Sequence, residues 1–288
     1  MKTIKIIKIK KQVQKLINKA SFNLPEDVIN AIKNAYLIER NQTAKKILSL
    51  ILENAEVSPS QKLPLCQDCG TVYVEIFIGK NICIENFNDI ENEINLVVGQ
   101  TYLKSYLRNS IVADPLFDRK NTLNNTPAIV MIDKTDFEGI EIKVSLKGGG
   151  SDNCSYLYML NPTTSSEEII SLVKELVIKN ATKSCPPIII GIGIGGSASK
   201  VTELARKAAF RDLGIRNLDK RYNELERKIL NEVNLTGIGP AGLGGDTTAL
   251  AVNIEYLPCH MATLPLAVFF LCHSARRASA KISLPSKS

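Results

Sequence analysis

The apolar positions of this chain repeat with two different periods, and the change from one to the other divides it into elements. Between Glu26 and Leu52 they recur three or four residues apart: Val28, Ile32, Ala35 and Tyr36, then Ile47, Leu48, Ile51 and Leu52. That spacing lines one face of a helix. Asn23-Leu24-Pro25-Glu26-Asp27 is a helix start, because proline is tolerated in the first turn and acids suit the positive end of the dipole. Thr43 is the expected cap of the next helix, whose Lys45, Lys46 and Glu53 form a solvated face. Residues 1–60 thus read as a helical N-terminal part.

The period then shortens. Val72, Val74, Ile76 and Ile78 alternate with other residues and predict a strand. Asp89 to Leu107 returns to a helix. Pro127–Ile132 and Ile140–Leu146 read as strands joined through Gly139. Ile169, Ile170, Leu172, Val173, Leu176 and Val177 mark an amphipathic helix over Glu167–Asn180. Pro187–Ile194 predicts a buried strand, followed by helices over Ser197–Arg211 and Asp219–Val233. A glycine-rich stretch and an apolar block close the chain. Helices and strands around glycine-rich turns give an α/β (mixed α+β) architecture, read as a single domain over residues 1–288.

Composition narrows the function classes. A hydrophobic fraction of 44% supports a sizeable core. The net charge of +7 suits an anionic small-molecule substrate and would also suit nucleic acid. The lysines are scattered and not interleaved with aromatics, so no nucleic-acid partner is expected. Lysines interrupt the apolar residues of Met1–Lys15 every second or third position, which is unlike a signal peptide. The apolar run Ala262–Cys272 contains Pro265 and is too short to span a bilayer. A soluble, cytoplasmic protein with no membrane partner is the expectation.

Seven cysteines in 288 residues are too sparse for a disulfide framework. Cys66 opens Cys66-Gln67-Asp68-Cys69-Gly70, Cys185 stands in Ser184-Cys185-Pro186-Pro187, and Cys272 leads into His273-Ser274-Ala275-Arg276-Arg277. Each lies at the end of a predicted element, where side chains can converge. Three thiolates can hold an iron–sulfur cluster and leave one iron open as a Lewis acid. The alternative for each is a buried small hydrophobe. Cys69 reads as packing, since a zinc site would need a second pair of ligands and the chain has only His260 and His273.

Gly191-Ile192-Gly193-Ile194-Gly195-Gly196 matches a dinucleotide fingerprint after a strand. The expected second strand with a ribose-binding acid does not follow, so a tight strand-to-helix turn or an anion site competes with it. Lys147-Gly148-Gly149-Gly150-Ser151 allows close backbone approach to a ligand, or is a flexible turn. Arg108 closes a helix candidate and suits a carboxylate. His260 is a candidate proton carrier, and Asp68 a carboxylate that orients or protonates a partner.

Taken together, these segments resemble the alpha subunit of class I fumarate hydratase and its relative L-tartrate dehydratase. The match runs in order over nearly the whole chain. It includes Cys66-Gln67-Asp68, Tyr106-Leu107-Arg108, Asp114-Pro115-Leu116, Asn125-Thr126-Pro127-Ala128 and Lys147 to Ser151. It continues through Cys185-Pro186-Pro187, Gly191 to Gly196, Gly237-Ile238-Gly239-Pro240, Gly242 to Gly245, His260 and Cys272-His273. The resemblance implies a class I fumarase alpha-type catalytic domain with a 4Fe–4S cluster on Cys66, Cys185 and Cys272. It implies substrate contacts from Gln67, Arg108 and Gly149, and catalysis by His260 and Asp68. The implied activity is reversible dehydration of a small dicarboxylate, (S)-malate to fumarate, as in the tricarboxylic acid cycle. L-tartrate dehydratase is the rival within the class. The implied partner is a beta subunit in an alpha2beta2-type assembly. The family usually has threonine at Cys69, and Cys154 and Cys259 also depart from it. From other classes, the rivals are an NAD-dependent oxidoreductase and a non-catalytic iron–sulfur scaffold.

Overall fold

A computed structural model describes residues 2–282. In chain order the elements are β1 (Lys2–Ile4), α1 (Ile6–Phe22), α2 (Glu26–Ile38), α3 (Gln42–Gln61), β2 (Thr71–Ile78), β3 (Ile82–Ile84) and α4 (Ile90–Lys104). There follow β4 (Ile129–Lys134), β5 (Ile140–Lys147), the one-turn α5 (Gly149–Asp152), β6 (Ser155–Leu160) and α6 (Ser166–Asn180). The chain continues with β7 (Ile188–Gly195), α7 (Ala198–Ala209), α8 (Lys220–Asn234), β8 (Ala249–Leu257), β9 (Leu264–Leu271) and β10 (Arg276–Ile282). The fold is mixed α/β. Among the described residues no helix is long and apolar enough to cross a membrane.

The chain forms two compact units. Among the described residues, unit 1 comprises 2–25, 57–148 and 276–282, and unit 2 comprises 26–56 and 149–275. The helical N-terminal part is divided between them: α1 belongs to unit 1, whereas α2 and most of α3 belong to unit 2.

Unit 1 is built on a sheet of order β10-β5-β2-β4, with β4 parallel to β2 and the other neighbours antiparallel. Val72, Val74 and Ile76 on β2, with Ile140, Ile142 and Val144 on β5, project into a core also formed by α1 and α4. The lysine-interrupted start of the chain is thereby explained. Ile9, Val13, Leu16, Ile17 and Ala20 form the buried stripe of α1, while most of its lysines lie at least partly exposed. The strands ending near Ile132 and starting at Ile140 are not paired with each other. They flank β2 on opposite sides, and Gly139 accepts from the amide of Gly79 at 2.9 Å. The helix expected to run to Leu107 ends at Lys104, because Tyr106 takes a left-handed φ of 53° that no helix continues.

Unit 2 is built on a sheet of order β6-β9-β7-β8, with β8 parallel and β9 antiparallel to β7. The sequence of β7 explains its packing on both faces. Ile188, Ile190, Ile192 and Ile194 alternate onto one face and join a core with α6 and α8, including Val173, Val177, Ile229 and Val233. Gly191 and Gly193 alternate onto the other face under α7. A Cβ on Gly191 would lie 2.2 Å from the Ala209 amide nitrogen, and one on Gly193 2.2 Å from the Val201 carbonyl oxygen. These glycines let a helix backbone settle onto a strand.

Caps agree with local chemistry. Ser165 and Glu168 form a reciprocal capping box at α6, and Asp219 accepts from Arg221 N at 2.9 Å to start α8. At α3 the cap is Asn41 instead of Thr43: its Oδ1 accepts from Thr43 N at 2.9 Å and Ala44 N at 3.2 Å. Asn41 competes successfully because its side chain reaches two amides of the first turn.

Candidate active site

In unit 1 the predicted residues gather on a short turn before β2. Cys66 and Asp68 are half-buried, Gln67 is exposed, and Cys69 and Gly70 are buried. Gly70 adopts φ 78°, and a Cβ there would stand 2.7 Å from the Lys147 carbonyl oxygen, so the turn lies directly against the end of β5. Asp68 Oδ1 accepts from Gly70 N at 3.0 Å and from Ser110 Oγ at 3.4 Å. The other carboxylate oxygen faces Gly148, where a Cβ would come within 3.1 Å of it. Glycine at 148 thus leaves room beside a carboxylate.

One group that fixes this turn was missed by sequence reasoning. Arg276, at the start of β10, is 1% exposed and donates from Nη1 to the Asp68 carbonyl oxygen at 2.6 Å. Its Nε has no partner among the described residues. A buried guanidinium is costly unless it is hydrogen-bonded, so its burial here marks a committed position. The signal was available: two adjacent arginines follow the third cysteine motif, where strand alternation buries one of them.

Arg108 lies in the loop after α4, exposed, four residues beyond the helix end. Its backbone amide donates to Cys69 Sγ at 3.1 Å. Cys69 is 2% exposed, and burial pushes its thiol up from the ordinary value, with the Arg108 amide and the Arg276 charge opposing. Tyr102 Oη donates to the Cys69 carbonyl oxygen at 2.9 Å, and burial pushes that phenol up as well. Cys69 is therefore a packing and anchoring residue that ties Arg108 to the turn carrying Cys66.

In unit 2 three predicted segments meet at one end of the sheet. Cys185 precedes β7, is exposed, and takes a left-handed φ of 51°. Cys272 directly follows β9, which runs antiparallel to β7, so the two strands bring both cysteine segments to the same end. His273 donates from Nδ1 to the Cys185 carbonyl oxygen at 2.9 Å. The one-turn helix Gly149–Asp152 lies there too, with a Cβ on Gly150 reaching 2.8 Å from the Lys183 carbonyl oxygen. Cys154 is fully buried, its Sγ 3.5 Å from the Gly150 carbonyl oxygen.

His260 is at the other end. It is exposed in the loop between β8 and β9, beside Gly195 and Gly196 at the finish of β7. The eight residues of β7 separate it from Cys185, a span of about 25 Å at strand rise. Its Nδ1 accepts from Ala262 N at 3.1 Å, which leaves Nε2 as the protonated nitrogen of the neutral ring. Cys259 shares that loop, with Sγ 3.2 Å from the Thr263 carbonyl oxygen.

None of the seven cysteines forms a disulfide. Among the described residues, no three His, Cys, Asp or Glu side chains are gathered around a point that would hold a single metal ion. The glycine turn at 191–196 is explained by helix packing, and Ser197 caps the α7 start by accepting from Lys200 N at 3.3 Å.

The family model described as fumarate hydratase (Fumerase) matches residues 10–281. A provisionally named L(+)-tartrate dehydratase subunit alpha of Methanocaldococcus jannaschii is 40% identical, covering 98% of this chain and 100% of the relative. The L(+)-tartrate dehydratase subunit alpha of Escherichia coli strain K12 is 29% identical, covering 89% of this chain and 85% of the relative. That of Shigella sonnei is similar to the same extent, 29% over 89% and 85%. The chain therefore belongs to the fumarate hydratase (Fumerase) family of hydro-lyases, in which tartrate dehydratase alpha subunits are among its relatives.

Proposed function

We propose that this chain is the alpha-type subunit of an iron–sulfur hydro-lyase that reversibly removes water from a small 2-hydroxy dicarboxylate, (S)-malate to fumarate. The observation that carries this reading is the return of the Cys272-His273 segment onto the Cys185 carbonyl at 2.9 Å. It brings two thiol-bearing segments to one end of a sheet in a chain of this family.

Cys66, Cys185 and Cys272 would hold a 4Fe–4S cluster. The donor set fits: three thiols outside any disulfide, Cys66 on the turn before β2 and Cys185 and Cys272 beside the ends of β7 and β9, with Cys69 and Cys154 buried and engaged elsewhere. When bound, the cluster supplies an open iron as a Lewis acid toward the substrate hydroxyl. Thiolates on one cluster bind different irons, so they need not converge on one point as ligands of a single ion do.

The chain's own residues then have separate tasks. Arg108 offers a two-pronged donor to a carboxylate. Gln67 offers side-chain amide donors and Gly149 a backbone amide. Asp68, anchored through Oδ1, orients a proton donor or carries the proton of the leaving oxygen. His260 keeps a proton-transfer role only if a second copy of the chain supplies it, given its distance from Cys185; an alpha2beta2-type assembly would provide one. The residue that takes the carbon-bound proton is assigned to a beta subunit, since the relatives are named as alpha subunits. Water is lost without net oxidation. A second reading, L-tartrate as substrate, is favoured by the relatives' names.

The test is anaerobic purification with iron and sulfide analysis, then assays of malate, fumarate and L-tartrate with and without the candidate beta chain. A broad absorbance near roughly 400 nm, typical of cysteine-bound iron–sulfur centres, with turnover only after mixing supports the reading. The preferred substrate separates its two forms. A colourless protein after reconstitution overturns it.

A further inference from the structure

Glu39 follows α2 and is 2% exposed. A carboxylate at a helix end is ordinarily solvated, and burying one is costly unless its charge is met. Here it is met by backbone. Oε1 accepts from Arg40 N and Asn41 N at 3.1 Å each and from Asp246 N at 3.0 Å. Oε2 accepts from Asp246 N at 3.0 Å and Thr247 N at 3.2 Å. Gly245 has no room for a side chain, since a Cβ there would lie 3.2 Å from Oε2 and 2.7 Å from the Ala44 Cβ. One buried acid therefore fixes the far end of the glycine-rich loop 237–248.

The near end of that loop reaches Cys185. Ala241, itself at φ 55°, donates its amide to the Pro186 carbonyl oxygen at 2.8 Å. Thr248 brackets the same stretch: its carbonyl oxygen accepts from Ile188 N at 2.9 Å, and its hydroxyl oxygen accepts from Gly239 N at 3.1 Å. A Cβ on Gly242 would stand 2.6 Å from the Thr182 methyl, in the turn leading into Cys185. Cys185 holds a left-handed backbone that a residue with a Cβ rarely adopts, and such a conformation persists only where its surroundings determine it. The loop supplies those surroundings on one side, and His273 on the other.

We infer that Glu39 is a positioning residue for Cys185, acting through the loop 239–248 and the Pro186 carbonyl to hold the thiol where a metal cluster can take it. This rests on the reading of Cys185 as a cluster ligand, but the contacts do not require a cluster to be present.

The experiment uses the full chain without reconstituted cluster. Glu39→Gln keeps the shape and turns one acceptor into a donor facing amides; Glu39→Asp keeps the charge. Amide hydrogen exchange is followed at Ala241, Asp246 and Thr247, and alkylation of Cys185 by iodoacetamide is timed against Cys259, exposed at the other end of the sheet. Glu39→Gln is expected to speed exchange at all three amides by about tenfold or more and to change the Cys185 to Cys259 rate ratio, with partial recovery in Glu39→Asp. Faster exchange at Asp246 and Thr247 with Ala241 and the cysteine ratio unmoved overturns the inference. If the variants do not fold, native-state exchange of the unaltered chain in mild denaturant decides it. The three amides must open together, and separate openings overturn the inference. Iron content of the unaltered chain tests the cluster reading separately.

Discussion

His273 donates from Nδ1 to the carbonyl oxygen of Cys185 at 2.9 Å, and its own backbone amide points to the same oxygen at 3.5 Å. One acceptor thus binds the residue beside Cys272 to the backbone of Cys185. Replacing His273 by Ala removes the side-chain donor and loosens the tie. The expected result is lower iron content after reconstitution, with the secondary structure retained. Cys185→Ser is expected to go further and lose both the intact cluster and the hydro-lyase rate. Full activity in Cys185→Ser would remove it from the ligand set.

Cys69 is the further thiol nearest in sequence to Cys66, and its surroundings argue that it does not compete for iron. Burial pushes its thiol up, and thiolate is the form that binds metal and reacts. At neutral pH it should resist alkylation while the exposed Cys185 and Cys259 react, as mass spectrometry of peptides would show. Cys69→Ala should keep cluster content and lose stability by about 1–3 kcal/mol, because the Arg108 amide loses its acceptor. A loss of iron in that variant would make Cys69 a ligand.

The elements that sequence made legible are those with uninterrupted periodicity. The helix over Ser166–Asn180 carries its apolar stripe and a capping box, and β7 is a run of isoleucines with glycines between them. Less legible was which strands are neighbours. The strands on either side of Gly139 are separated by β2, and β8 and β9 by β7, because pairing is decided by burial across the sheet and not by succession. The cysteines, glycines and His260 drew attention by residue type. Arg276 and Glu39 did not, because a charged residue at an element end reads as solvated until the backbone groups facing it are known.

Asp246 links the anchored loop to acid stability. The Arg40 guanidinium beside it holds its carboxyl down to about 2, from an ordinary 3.8. A carboxyl whose folded value is depressed contributes stability that is fully present above its unfolded value. That contribution is lost as pH falls from about 4 toward 2. Unfolding by urea between those limits should show it, and Arg40→Ala should flatten that part of the profile. Because Arg40 is largely exposed, the effect should also shrink in high salt. An unchanged acid limb in Arg40→Ala would assign the acid sensitivity to another group.

His260 tests the assembly. With Nδ1 accepting from Ala262 N, Nε2 is the nitrogen left to exchange protons. His260→Asn should retain the cluster and lower turnover by roughly a hundredfold, the usual contribution of a positioned acid or base. If a second copy supplies it, complexes mixed from Cys185→Ser and His260→Asn chains should regain part of the activity that neither has alone. Unchanged turnover in His260→Asn would remove it from the chemistry. Absence of complementation with both single variants inactive would mean that one copy serves itself.

The glycines of β7 separate packing from nucleotide binding. If they cradled a dinucleotide, a small side chain at one of them would weaken binding and leave the fold intact. The structure makes the opposite demand: a Cβ on Gly193 would lie 2.2 Å from the Val201 carbonyl oxygen and 2.7 Å from the Ala205 amide nitrogen, both in the backbone of α7. Backbone of a helix cannot swing aside as a flexible side chain does, so α7 must move off the sheet. Gly193→Ala should therefore destabilise the chain by about 3 kcal/mol or more, read as a lower urea midpoint. Gly214→Ala, where a Cβ meets nothing within 4 Å, should cost less and only through its φ of 91°. Calorimetric titration of the unaltered chain with NAD should give no binding heat. Saturable binding of NAD, abolished by Gly193→Ala without loss of stability, would return the turn to a nucleotide role.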